Sequence, residues 1–305
     1  MTFGAETTAN EAIAGIDLHG RTAVITGASG GIGVETARAF ASAGAAVILG
    51  NRQSEKSDAA VAELRASLPD ASVEVINLDL TSLASVRAFA QQVLSLHDRI
   101  DLLVNNAGVM ATPLERTSDG FELQFGTNHL SHFLLTKLLM PALLRADAPR
   151  IVNLTSNGHS ISDVIWDDPN YRERPYTDWE SYGQSKTANV LFTVELQRRF
   201  GSQGVQAFAV HPGVVGTDLF RYLSDEGKAR LDKQIAKNNI FYKTPQQGAS
   251  TSVWAATAAE LKDKGGAYLE DCRVSETFSP YAKNPESAQR LWAMSEEMVG
   301  EPFPS

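Results

Sequence analysis

The 305 residues carry 36 acidic and 27 basic side chains, a formal charge of −9, with 43% hydrophobic and 21% charged residues. That balance suits a globular chain with a sizeable core and speaks against nucleic acid or an anionic membrane as the main partner. The single cysteine, Cys272, excludes an internal disulfide framework and a cysteine-built zinc site.

Residues 1–17 place Glu6, Glu11 and Asp17 ahead of the first basic residue. With no basic segment and no apolar run of membrane length, neither a signal peptide nor a membrane partner is expected, and a cytoplasmic location follows as the expectation. This stretch reads as an extension ahead of one domain spanning 18–305. A strand is predicted at 21–26 and a helix at 35–43, then a strand at 46–50 and a helix at 58–68. A strand at 73–78 and a helix at 83–96 follow, then a strand at 101–105 and a long helix at 122–144. The series ends with a strand at 150–155, a helix at 182–200 and a strand at 205–211. Strands alternating with helices predict an α/β domain: a doubly wound parallel sheet of Rossmann type, with helices on both faces. Its ligand crevice would lie at the carboxyl ends of the strands.

The loops at those ends hold the unusual residues. The first strand runs into Thr26-Gly27-Ala28-Ser29-Gly30-Gly31-Ile32-Gly33 and then a helix. Such a turn brings backbone N–H groups and the positive helix end to a pyrophosphate, which makes Gly27, Ser29, Gly31, Ile32 and Gly33 candidate cofactor contacts. A plain tight turn is the simpler alternative. The second strand ends in Gly50-Asn51-Arg52. An NAD site would place a carboxylate here, whereas Arg52 suits a 2′-phosphate, so Asn51 and Arg52 favour NADP, with NAD the alternative. Asp79, followed by Leu80, could accept from an adenine amino group, cap the next helix, or do both. Asn106, Ala107 and Gly108 are small enough to leave room for a ribose.

Tyr182 and Lys186 stand four apart in a helical pattern and so share one face. A neighbouring ammonium lowers a phenol's pKa, which makes the pair a candidate general acid/base for an alcohol or carbonyl. Ser156, beyond the fifth strand, could hydrogen-bond the reacting oxygen. Asn128 is unfavourable in the middle of a helix and could hold a water for proton exchange. His129 and His132 lack acidic or cysteine company and read as packing or surface residues, so no metal is expected.

Together TGASGGIG, LDL, NNAG, Asn128, Ser156, YGQSK and HPG at 211–213 resemble the short-chain dehydrogenase/reductase family over roughly residues 18–217. The resemblance implies a catalytic tetrad of Asn128, Ser156, Tyr182 and Lys186. Tyr182 would protonate the carbonyl oxygen, Ser156 would position it, and Asn128 would support a water-linked proton path. Lys186 would lower the tyrosine pKa and, with Tyr182, hold the nicotinamide ribose. Pro212, Gly213, Val215 and Thr217 would border the nicotinamide. The expected activity is NAD(P)-dependent interconversion of a carbonyl and an alcohol. A silent NADP-binding sensor on the same fold and a reductase of activated C=C bonds are the alternatives.

NRQSEK, FELQFGTNHLSHFLLT and YGQSKTANVLFTVEL are similar to the retinol-dehydrogenase-like branch, but Ser29 and Gly30 replace the basic residue many NADP-dependent members carry in the glycine loop. Substrate-side segments are expected at about 157–181, 218–245 and 268–305. Phe220, Tyr222, Leu223, Leu231 and Ile235 could wall the pocket or form the buried face of a helix. Trp166, Tyr171, Tyr176 and Trp179 add aromatic area, so a bulky apolar or aromatic substrate is expected. Fold-mates are often dimers or tetramers through their two long helices, while the resembled branch also includes monomers; a homo-oligomer is the expectation and a monomer the alternative.

Overall fold

A computed structural model describes residues 3–237 and 240–303; the six other positions, in the expected segments 1–17, 218–245 and 268–305, lie outside the described residues. Helix α1 (Ala9–Ile13) is followed by β1 (Thr22–Thr26), α2 (Gly31–Ser42), β2 (Ala46–Asn51), α3 (Glu55–Ser67), β3 (Val73–Asn77), α4 (Leu83–Leu96) and β4 (Leu102–Asn105). A single turn α5 (Leu123–Phe125) and a π-helical stretch (Gly126–Leu130) lead into α6 (Ser131–Leu143), β5 (Arg150–Leu154), α7 (Asp178–Phe200) and β6 (Gln206–His211). The chain closes with β7 (Val214–Val215), α8 (Asp225–Lys237), β8 (Tyr242–Lys243), α9 (Pro245–Thr257), β9 (Tyr268–Glu270), β10 (Arg273–Val274) and α10 (Pro285–Val299).

The main sheet runs in the order β10-β9-β6-β5-β4-β1-β2-β3 and is parallel except for β10. Its apolar strands are buried because helices cover both faces. One core holds Phe89, Phe125, Phe133, Leu191 and Trp292; the other holds Phe40, Leu49, Phe208 and Trp254. Each fully buried side chain of this kind stabilises by about 1.5–3 kcal/mol. The strand order reverses between β1 and β4, so the crevice opens beyond their carboxyl ends.

Four local outcomes differ from the sequence expectation. Helix α2 begins at Gly31, because the glycine turn is itself the helix entrance, with Gly30 at φ 153° and Gly31 at 56°. The expected continuous helix at 122–144 is interrupted by the wider π turn around Asn128, the kind of irregularity that often marks a functional site. Residues 9, 12 and 13 of the expected extension pack into the second core, beside α2 and α9. The stretch 268–305 splits: β9 and β10 extend the sheet, and α10 lies against α7.

Two of these features are costly or extensive. The β9–β10 hairpin turns through Asp271 and Cys272, both left-handed at φ 49° and 53°. Such turns favour Asn-Gly, and non-glycine residues there cost about 1–2 kcal/mol each. On α10, Trp292 meets Phe133, Phe192, Phe200 and Phe303 with ring centroids 4.3–6.4 Å apart. Ser295 bonds His129, and Glu301 bonds Arg87 and Lys137. Helices α6 and α7 are therefore covered over most of their surface.

Candidate active site

The glycine loop is a cradle with no room for side chains. A methyl group at Gly27 would meet Ala107 Cβ at 2.7 Å, and one at Gly33 would meet the Gly27 carbonyl oxygen at 2.4 Å. At Gly31 it would meet the Thr217 methyl at 2.9 Å, so the glycine loop and the 212–217 segment face each other. Asn106 closes the floor: its Nδ2 donates to the Thr26 and Gly27 carbonyls at 2.8 and 3.1 Å. Asn51 accepts from Ala28 N–H at 2.7 Å, while its buried Nδ2 has no partner. A buried donor without an acceptor is unfavourable, and a ribose or phosphate oxygen at this edge would satisfy it. The cradle and the orphan donor fit a dinucleotide.

The other expected cofactor residues divide. Arg52 and Ser29 are at the accessible edge, Arg52 exposed and Ser29 half-buried. Asp79 Oδ1 accepts from the Thr81 N–H and hydroxyl, whereas Ser82 caps α4, so the expectation that Asp79 caps this helix is corrected: its carboxylate braces the turn ahead of it. The Leu80 side chain is in the core and its carbonyl accepts from Ser131, so it presents little to a ligand. Ile32 packs toward the second core. Lys56, in the first turn of α3, was not anticipated: its Cε and Nζ would lie 3.4 and 3.7 Å from a methyl at Gly30, and it pairs with Asp218. It places a cation beside Gly30, where Ser29 and Gly30 themselves carry none. The usable signal was its place four residues beyond Arg52, on a turn entering the same crevice.

The tetrad residues converge. The Tyr182 ring packs on Gly158, where a methyl would lie 2.7 Å from Cε1 and 3.3 Å from Ser156 Oγ. Ser156 Oγ accepts from Gly158 N–H at 3.0 Å, which leaves its own proton for another oxygen. Lys186 Nζ donates to the Leu154 carbonyl at 3.2 Å and stands 5.6 Å from the Tyr182 ring centroid. Burial pushes the Tyr182 phenol up to about 12, against the opposing hydrogen bond from Ser156. Burial also brings Lys186 down to about 8. The expected lowering of the tyrosine pKa by Lys186 is not found in the protein alone: burial raises it, and only the Ser156 hydrogen bond acts in the opposite direction.

Asn128 is a brace. Its Oδ1 accepts from Val109 N–H at 2.9 Å, and its Nδ2 donates to the Val109 carbonyl at 2.9 Å and Ser185 Oγ at 3.0 Å. With both amide hydrogens engaged, the side chain ties the loop after β4 to α7 rather than offering a proton to water. Ser185 in turn donates to the Tyr182 carbonyl at 2.8 Å.

Two histidines complete the frame. Thr26 Oγ1 accepts from the Asn106 and Ala107 N–H groups, so its proton goes to His132 Nε2 at 2.9 Å. His132 Nδ1–H then donates to the Asn128 carbonyl at 3.0 Å. His159 Nδ1–H donates to the Ser156 carbonyl at 2.7 Å, and its Nε2 accepts from Ser279 N–H at 3.2 Å. A backbone carbonyl at Nδ1, which can only accept, fixes both tautomers. His129 and His132 are buried, with burial lowering their pKa values to about 3 and about 4.

Over Tyr182 lies an apolar cluster of Met110, Ala111 and Leu223, with Trp179, Leu219, Phe220 and Leu231 against it. Of the expected wall, Phe220, Leu223, Leu231 and Trp179 reach the site. Tyr222 is exposed beneath Arg221, and Ile235 is buried apart from this cluster. Tyr171 and Tyr176 meet edge-on with ring centroids 5.0 Å apart, and Trp166 lies under Arg290. Met110 and Ala111 were missed because nothing in their sequence neighbourhood points to the pocket.

A family model described as short chain dehydrogenase matches residues 21–228. Human retinol dehydrogenase 13 is 42% identical over 291 residues, 94% of this chain and 87% of its own length. Mouse retinol dehydrogenase 12 is 42% identical over 93% of this chain and 88% of its own length. A crystal structure of an uncharacterised protein from Mycobacterium paratuberculosis superposes with TM-score 0.78 and 36% identity, covering 96% of this chain and 98% of that one. A Beutenbergia cavernae protein described as an NAD(P)-dependent gluconate 5-dehydrogenase, solved with NADP at low occupancy, has TM-score 0.67 and 27% identity over 84% of this chain and 96% of its own. The matched family model, the relatives' shared length and the converging tetrad place this chain in the short-chain dehydrogenase family, as a nicotinamide-dinucleotide-dependent oxidoreductase of alcohols or carbonyls.

Proposed function

We propose that this chain is an NADP-preferring alcohol dehydrogenase/carbonyl reductase for a bulky apolar substrate, with Tyr182 as the general acid/base. The observation that carries this reading is a buried Tyr182 beneath an apolar wall, with Ser156 and Lys186 beside it. The retinol dehydrogenase relatives, named for an apolar alcohol, support the same substrate character. When bound, the cofactor supplies or accepts the hydride. Ser156 orients the substrate oxygen and Tyr182 gives it the proton in reduction or takes it in oxidation. Lys186 holds positive charge near that oxygen, and the apolar wall excludes water.

Two cations support NADP: Arg52, exposed just after β2, and Lys56, beside Gly30. NADPH should bind at least about tenfold more tightly than NADH, and Arg52→Ala or Lys56→Ala should each remove about tenfold of that, the size of one charge-assisted contact. Calorimetric titration with both cofactors decides it, and equal affinities would end the NADP reading.

The chain is a monomer in this proposal. The two long helices expected to pair are sheathed by α10 and Phe303, so a dimer through them would have to strip that cover. Light scattering should return a mass near 32.9 kDa. A dimer mass would show that another face assembles or that α10 moves.

A further inference from the structure

Lys243 lies in β8, whose two residues pair with Val214 and Val215 of β7, the segment following Pro212-Gly213. Its side chain is buried and packs behind Gly213: a methyl there would meet Lys243 Cε at 2.8 Å and Nζ at 3.3 Å. Gly213 is left-handed at φ 88°, so the turn is shaped around this lysine. Lys243 Nζ bonds Asp271 Oδ1 at 2.6 Å. Asp271 and Cys272 are the left-handed pair of the β9–β10 turn, and Cys272 N–H donates to Thr251 Oγ1 at 3.1 Å.

The pair joins a buried lysine to a half-buried aspartate. A buried ion pair is commonly no more stabilising than well-packed apolar side chains of similar volume. A glycine would relieve the turn at Asp271 without strain. Strained residues joined to a buried lysine and abutting a binding turn indicate positioning.

We propose that the Lys243–Asp271 pair is a latch that positions the Pro212–Val215 turn and thereby seats the nicotinamide end of the cofactor. The proposal rests on the reading that this turn borders the nicotinamide. Lys243 and Asp271 are positioning residues: they act through the turn and contact no reacting atom. The latch joins three separate pieces of chain, namely the nicotinamide turn, the strand paired with it, and the sheet-edge hairpin.

The double variant Lys243→Met/Asp271→Gly removes both charges together, so no unpaired buried charge remains, and it relaxes the hairpin. It should melt at or above the parent temperature. Its affinity for 2′-phospho-ADP-ribose, which lacks the nicotinamide, should stay within about twofold of the parent, while its affinity for NADPH falls about tenfold and the fluorescence enhancement of the bound nicotinamide is lost. Asp271→Asn, which tolerates the left-handed turn and still accepts from Lys243, should restore most of the NADPH affinity. Unchanged NADPH binding in the double variant, or equal weakening of both ligands, would overturn the latch. If the parent itself bound neither ligand, the cofactor reading would fall and the latch with it, a result that needs no variant to recognise.

Discussion

Tyr182→Phe is expected to lower carbonyl reduction by about a thousandfold, the scale of a positioned general acid, with cofactor affinity little changed. Phenylalanine keeps the ring that packs on Gly158 and meets Trp179 edge-on at 6.2 Å, so the fold should survive. Only the proton donor is lost. The pH profile adds a second signature. With the phenol at about 12 and Lys186 at about 8, reduction should hold through neutral pH and decline above about 8 as the ammonium is lost. Alcohol oxidation, which needs the phenolate, should climb with pH over the same range. Following NADPH absorbance with apolar carbonyls tests both points. Turnover by the variant equal to the parent would mean that Tyr182 is not the acid.

Stability should fall steeply on mild acidification. His129 and His132 are neutral in the folded chain, with pKa values lowered to about 3 and about 4 from 6.5 by burial. Below pH 6.5 the unfolded chain binds protons that the folded chain does not. The stabilisation is thus complete above about 6.5 and is lost as pH falls toward about 4. Each histidine contributes a slope of about 1.4 kcal/mol per pH unit in that window. His129 sits among Phe125, Phe133 and Phe192, so His129→Phe should fold and remove one share of the slope, apart from its lost bond to Ser295. Urea midpoints between pH 5 and 7.5 measure it. A flat profile would show that these histidines are not neutral in the fold.

Much of the site was legible because its residues sit at strand ends. Gly27, Gly33, Asn106, Ser156 and Gly213 occupy turns whose chemistry is local, and the i, i+4 relation of Tyr182 and Lys186 needs only a helix. The limits were equally physical. Tyr182's protonation depends on how deeply the ring is buried, and helical spacing does not encode depth. The amide of Asn128 has two hydrogens, and only the folded positions of Val109 and Ser185 show that both are taken. Trp166, Tyr171 and Tyr176 look like pocket aromatics in the sequence, yet packing turns them toward each other or α10.

The sequence by itself determined the alternation of strands and helices and the glycine cradle, since each follows from periodicity or from contacts within one turn, while the members of the tetrad came from the ordered motifs that resemble the family. The tertiary structure alone decided the rest. Lys56 beside Gly30, Lys243 against Gly213 and bonded to Asp271, and α10 over α6 and α7 bring together residues far apart in the chain. Such contacts arise only when the sheet order and the crossing helices set the distances, and no local pattern carries that information.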